Sequence, residues 1–174
     1  NFPGFHFLKM YSEASYIIGI ETSSDLSNGM YINSDTPSFS FRTAIFNGKR
    51  ILLVGGINHK RGAKIDLSNS YKILEQKAKE IYPDAKVLYK WNTHDSISLD
   101  KIPYIGDFSS LYPNVYVATG FKKWGMTTSN VAANIITDKI LGKENKYEEI
   151  YTPLRLRPIK NRKEFANMLK ESSH

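Results

Sequence analysis

The dipeptide Asn47-Gly48 constrains this chain more than any other feature. An Asn-Gly pair accepts positive φ at both central positions of a two-residue turn, and that turn joins antiparallel strands with the right twist. Before it, Phe39–Phe46 alternates, with Phe39, Phe41, Thr43 and Ile45 on one face and Ser40, Arg42 and Ala44 on the other. After it, Lys49–Val54 is predicted to return as the partner strand, ended by Gly55-Gly56, where another group can approach the backbone closely. A chain with such a ribbon at its centre is expected to build an antiparallel sheet around it.

The flanking segments extend that picture. Ser15–Thr22 is nearly continuously apolar, which predicts a strand buried on both faces. Asn28-Gly29 marks a turn before a short strand at Met30–Asn33. Asn69–Tyr82 reads as an amphipathic helix with Tyr71, Leu74, Ala78, Ile81 and Tyr82 on one stripe, a cap at Ser68 or Asn69, and Pro83 as its stop. Ala85–Trp91 is the next strand, and Asn92–Tyr112 is polar and turn-rich apart from an apolar clip at Ile102–Ile105. Val115–Thr119 reads as a continuously buried strand that passes through Gly120–Gly125 into a helix over Thr128–Leu141, closed by Gly142. A tail punctuated by Pro153 and Pro158 leads to a basic helix at about 161–170.

Strands dominate, hairpins outnumber crossovers and helices are few. The expected class is α+β, a largely antiparallel mixed sheet with few flanking helices. The strand–turn–helix from Val115 onward looks like half of a βαβ unit with no partner in this chain. The organisation that follows is a sheet and helix over 1–100, a strand–turn–helix segment over 101–142, and a linker with a basic helix over 143–174.

Composition narrows the chemistry. The chain has no cysteine, which removes disulfides, thiolate nucleophiles and cysteine-held metals and fits a cytoplasmic protein. Its four histidines, His6, His59, His94 and His174, share no metal-ligand spacing, so no protein metal site is expected. Apolar runs are too short to span a membrane, and no basic-then-apolar leader opens the sequence. Asn1 stands where a start would have Met, so the chain is expected to begin after processing or to belong to something longer. The net charge is +7, and between Asp35 and Asp66 there is no acidic residue while Arg42, Lys49, Arg50, Lys60, Arg61 and Lys64 all fall there. That stretch would suit an anionic ligand, although ordinary solvated strand ends account for most of these six. A basic nucleic-acid-binding domain ranks last, because no recognised motif is present and the charge lies in scattered pairs.

The stretch richest in chemistry is Ile102-Pro103-Tyr104-Ile105-Gly106, followed by Asn114-Val115-Tyr116-Val117-Ala118-Thr119-Gly120-Phe121-Lys122-Lys123-Trp124-Gly125-Met126-Thr127. The strand delivers the chain to a turn whose glycines let backbone approach a flat ligand. The helix after it points free N–H groups and about half a positive charge at whatever sits there, which stabilises a group that gains negative charge. Spacing alone does not identify a flavin, and a glycine turn before a helix is more often purely structural.

These residues resemble the carboxy-terminal signature of the D-amino-acid oxidase, glycine oxidase and sarcosine oxidase superfamily of FAD-dependent oxidoreductases. Gly29-Met30-Tyr31-Ile32, Ser40-Phe41-Arg42 and Trp91 with Asp95 are similar to the bacterial branch that often carries a Rieske iron–sulfur domain after the flavin part. The resemblance spans about residues 1 to 155 and is most specific at Trp91–Gly142. It implies a two-domain flavoprotein that oxidises an amine or amino acid by hydride transfer to flavin, with this chain as its substrate-side part. The G-x-G-x-x-G turn of a nucleotide-binding half occurs nowhere in these residues, so a missing amino-terminal FAD-binding domain is the expected partner. Without it, this chain is expected to hold FAD weakly or not at all and to be inactive alone. An iron–sulfur cluster would have to lie beyond His174.

The resemblance places Gly106, Gly120, Phe121, Lys123, Trp124, Gly125, Met126 and Thr127 beside the flavin, mainly through backbone. For the substrate, Arg42 is the preferred carboxylate anchor, because guanidinium offers a planar two-pronged fork and the residue sits mid-strand. The competing reading is an edge-strand arginine paired with an acidic neighbour. Tyr31, His59 and Lys60 are further candidates for the substrate side. A non-enzymatic binding module or subunit working with a separate nucleotide-binding chain is the alternative from another class.

Overall fold

A computed structural model describes residues 5–63, 66–155 and 166 of the chain. The basic helix expected at about 161–170 therefore falls, but for Ala166, outside the described residues. A 3-10 turn at His6–Leu8 is followed by β1 (Met10–Glu21), β2 (Met30–Ile32), β3 (Phe39–Phe46), β4 (Lys49–Lys60), α1 (Leu67–Ile81), β5 (Lys86–Ser98), β6 (Tyr104–Asp107), β7 (Tyr116–Thr119), α2 (Gly125–Ile140) and α3 (Glu148–Tyr151). The chain divides into two compact units, Ala14–His94 on one hand and Asn1–Glu13 with Asp95–His174 on the other.

In the Ala14–His94 unit the central hairpin forms in the expected register, from Phe46 opposite Lys49 to Phe39 opposite Gly56. Asn47 and Gly48 supply the two positive φ values, 50° and 74°, that such a turn needs. β2 adds antiparallel to β3, and the strand order is β2-β3-β4-β1-β5. Ala14, Tyr16, Ile18 and Ile20 of β1 alternate onto the same core as Leu52 and Val54 of β4 and Phe39 of β3. Helix α1 closes this core with Leu74 and Ala78, both without exposed surface.

Several expectations need correction here. β1 is buried mainly on one face, because Ile17 alternates to the opposite side and stays half-buried. β4 does not stop at Gly55-Gly56 but runs to Lys60, with Ile57 in a left-handed conformation at φ 52°. A β-branched residue rarely adopts it, so packing of Ile57 against the core must offset the strain. Helix α1 begins two residues early, because Asp66 rather than Ser68 or Asn69 caps it by accepting the Ser68 N–H at 2.9 Å. The hydrogen bonds from Ser68 hold the Asp66 carboxyl below its ordinary pKa. Its stop is as expected: Tyr82 is extended at ψ 90°, as the residue before a proline must be. Asn92–Ser98 continues β5 instead of forming turns. β5 is the last strand in the sheet order, and an edge strand can be polar on its outer side.

In the second unit β7 is not continuously buried. It pairs antiparallel with β6, Tyr104 opposite Thr119 through Asp107 opposite Tyr116, and its residues are half-exposed or exposed. Helix α2 lays Ala132 and Ile135 on Ile105. It starts at Gly125, three residues before the expected Thr128. Its end is a Schellman closure: Lys143 N–H reaches Asp138 C=O at 2.8 Å, Gly142 N–H reaches Lys139 C=O at 3.2 Å, and Gly142 has φ 65°.

This unit also contains a buried ionic knot. The Arg155 guanidinium holds Asp100 through both carboxylate oxygens at 2.7 and 2.9 Å. It also donates to the carbonyls of Ile102, Pro103, Tyr151 and Thr152 and lies 3.9 Å over the Tyr104 ring. Lys9, also buried, donates to the Pro153 carbonyl at 3.0 Å.

Candidate functional site

Alternation in the hairpin sorts side chains between a helix-covered face and an open one. The open face carries Ser40 and Arg42 on β3, their cross-strand partners Gly55 and Leu53 on β4, and Ile32 and Met30 on β2. Together with Ile17 they line a hollow of about 310 Å³. Its floor, Ile17 and Leu53, is apolar. Met30 and Ile32 form a rim, 81% and 75% exposed, on an edge strand. Arg42 is the only charged residue of the lining, and among the described residues no carboxylate pairs with it.

Tyr31 lines this hollow and also a second one of about 250 Å³ on the helix side, with Phe41, Leu52, Ile81 and Tyr82. Its hydroxyl bonds Ser27 at 2.5 Å, and its ring fills the space where a Gly29 side chain would stand. His59 and Lys60 do not line the hollow. The His59 ring stacks on Tyr16, its Nδ1–H donates to the Lys60 carbonyl at 2.8 Å, and its Nε2 accepts from the Tyr16 hydroxyl at 2.7 Å. Both ring nitrogens are thereby engaged within the fold. Burial raises the Tyr16 pKa and keeps its hydroxyl a donor.

In the other unit, Gly120 has φ 78° and is followed by Lys122 and Lys123 at 48° and 68°. Two successive lysines in the left-handed region store backbone strain of about 1–3 kcal/mol each. The turn is pinned by Trp124 N–H to Phe121 C=O at 2.8 Å, by Lys122 N–H to Ser96 C=O at 3.3 Å, and by a bridge between Phe121 and Ile97. Lys123 pairs with Glu13 at 3.4 Å. The bend presents Trp124 and Met126 outward, 68% and 90% exposed, at the start of α2. The N-cap Trp124 makes no side-chain hydrogen bond, so among the described residues no capping oxygen meets the first N–H groups of that helix.

The glycines differ in purpose. A Cβ on Gly125 would meet nothing closer than Phe121 at 3.9 Å, which leaves room beside the helix tip. Gly120 is packed, with Ser98, Met10 and Pro103 at 3.5–3.7 Å from where a Cβ would lie. Gly106 is not part of the bend. It sits buried in β6 at φ 133°, with Pro153 Cδ 3.3 Å from where its Cβ would be. Residues 120–127 are thus gathered in one bend, and Gly106 serves the packing of α3's neighbour Pro153.

The sequence places Ser40 on Arg42's face and marks Gly55 as a point of close approach, but Ile17 and Leu53 were not singled out, although parity could have found them. Once Asn47-Gly48 sets the register, the residues facing Arg42's side follow by counting.

An antiparallel sheet with one helix-covered and one open face, and a separate unit presenting a glycine bend at an uncapped helix, define a known class. Residues 3–139 match the family of FAD dependent oxidoreductases (DAO), and the chain belongs to that family. It is 41% identical over 152 residues to YhfW of Bacillus subtilis (strain 168), named as a Rieske 2Fe-2S iron-sulfur protein, covering 87% of this chain and 30% of that protein. Among solved structures it is similar to glycine oxidase from Geobacillus kaustophilus, with a TM-score of 0.67 and 17% identity over 84% of this chain and 40% of that one. Glycine oxidase from Bacillus cereus ATCC 14579 gives a TM-score of 0.63 and 19% identity over 79% of this chain and 38% of its own. The structural likenesses show the fold. The chain therefore spans well under half the length of the relatives it matches.

Proposed function

We propose that this chain is the substrate-side part of an enzyme that oxidises an amine or amino acid with FAD, the sheet unit receiving the substrate and segment 101–142 returning to a nucleotide-binding half. The observation that carries it is the unpaired Arg42 over an apolar floor, on the face left open by α1. Such a guanidinium binds a substrate carboxylate through two parallel hydrogen bonds and fixes the orientation of the carbon to be oxidised. Tyr31, on the same rim, would limit the space beside it.

The bend fits the polar edge of a flavin ring and not its nucleotide. Gly125, Met126 and Thr127 offer outward N–H groups at the positive end of α2, with room beside Gly125. Phe121, Lys123 and Trp124 hold the bend in shape, and the exposed Trp124 ring would cover the flank of a bound flavin. FAD, when bound, supplies the two-electron acceptor. This chain supplies orientation and a fixed positive pole. The likeness to YhfW supports an iron–sulfur cluster in the whole protein; this chain, with no cysteine, would not supply thiolate ligands. The absent G-x-G-x-x-G turn supports dependence on a further nucleotide-binding part.

The test is spectral. Protein purified from its whole reading frame is expected to carry a flavin spectrum that bleaches anaerobically on adding an amino acid or amine. A colourless protein that gains no flavin spectrum on adding FAD overturns the proposal.

A further inference from the structure

The open-face hollow has a glycine in its floor that the backbone does not need. Gly120 and Gly142 have φ of 78° and 65°, where glycine is favoured, whereas Gly55 lies outside the left-handed region. It stands mid-strand, opposite Ser40 in a regular antiparallel ladder. A strand interior ordinarily selects a β-branched residue there. What glycine provides is space: a Cβ would lie 2.9 Å from Ser40 Oγ and 3.6 Å from Ile17 Cγ1, inside the hollow.

The charge of the lining is equally selective. Arg42 faces Leu53 across the ladder, and Ser40 faces Gly55 one strand repeat away, about 7 Å along β4. That separation suits a carboxylate held at one end and a chain of several carbons laid over Gly55 toward Ile17. Among the described residues no acidic side chain lines the hollow to receive a cationic tail, and Arg42 is the only cation there to receive a second carboxylate. We infer that the ligand of this face is an amino acid with a single carboxylate and an uncharged apolar side chain, and that Gly55 sets the length of side chain accepted. This rests on the reading of the face as the substrate side.

The test uses protein from the whole reading frame and three probes, acetate, hexanoate and hexylamine, followed by titration calorimetry. Hexanoate is expected to bind more than tenfold tighter than acetate, because each added methylene gains apolar contact, and hexylamine is expected not to bind. Gly55→Ala should weaken hexanoate about tenfold and leave acetate within about twofold, narrowing the preference for leucine over alanine in kcat/KM by a similar factor. If Gly55→Ala fails to fold, Gly55→Ala combined with Ser40→Ala removes the 2.9 Å contact while keeping the added methyl. Equal binding of acetate and hexanoate, both lost in Arg42→Met, overturns the side-chain inference and leaves the substrate face standing. Carboxylate binding that is absent, or unchanged by Arg42→Met, overturns both.

Discussion

The two units are held together by different physics. The Ala14–His94 unit closes on aliphatic and aromatic side chains, with Ile18, Ile20, Val54 and Leu74 fully buried and no charged side chain buried among its described residues. The unit containing Asp95–His174 has a small apolar core of Ile105, Ala132 and Ile135 beside a buried guanidinium. In the latter, Arg155 is 8% exposed and satisfies one carboxylate and four carbonyls. An apolar core tolerates small losses of volume in proportion to their size, whereas a buried ion network fails as a whole when one member is removed. The comparison teaches where each unit is vulnerable: one to cavities, the other to loss of a buried charge.

The largest effect is expected from Arg155→Met, which leaves Asp100 buried without its counter-ion. A loss of about 3–5 kcal/mol should appear as a lower denaturant midpoint, and Asp100→Leu added to it should recover a substantial part. Failure of the double variant to recover anything would show that the guanidinium matters for the carbonyls alone. Leu74→Ala breaks the other unit by opening a cavity under α1, with an expected cost of about 3 kcal/mol in the same assay and no dependence on pH.

Acid is expected to weaken both units, since hydrogen bonds from Ser23 and Thr22 hold Asp84 well below the ordinary value, but the unit containing His6 starts to lose stability at a higher pH. Burial pushes the Asp100 carboxyl up, but the hydrogen bonds and charge of Arg155 outweigh it and hold the pKa below the ordinary value. Its stabilisation is therefore present above a pH of about 4 and fades as pH falls through the depressed value. Burial, then the nearby Lys9 charge, also lowers the His6 pKa, so the unit containing His6 loses stability as pH falls from about 6.5. His6→Phe should abolish the loss above about pH 5 and leave the lower-pH loss in place. Amide exchange read separately over 14–94 and 95–155 checks the assignment. The smallest effect is Asp66→Ala, which removes the cap of α1 and should be visible as faster exchange over its first turn.

The same contrast explains what could be read in the sequence. The hairpin, its register and the stripe of α1 follow from period and turn chemistry, because side chains that alternate or recur every 3.6 residues leave a local trace. The strand Asn92–Ser98 leaves none, since an edge strand needs no apolar face. Arg155 leaves none either: its partner Asp100 is far away in sequence, and Arg-plus-Asp is ordinary surface composition. At the candidate site, Arg42 and Tyr31 were reachable from residue type and position. The engagement of His59 by Tyr16 and the packing of Gly106 against Pro153 depend on tertiary contacts that no spacing announces.

The central claim is that the sheet face opposite α1 receives the substrate through Arg42. The most direct measurement is the substrate dependence of anaerobic flavin reduction in wild-type protein and in Arg42→Met, with the unfolding midpoint measured in parallel. Loss of a charged hydrogen-bond pair predicts an apparent Kd for the amino acid raised about tenfold to a hundredfold, with the midpoint unchanged because Arg42 has no ion pair among the described residues. An Arg42→Met protein that is reduced with the wild-type Kd would contradict the account.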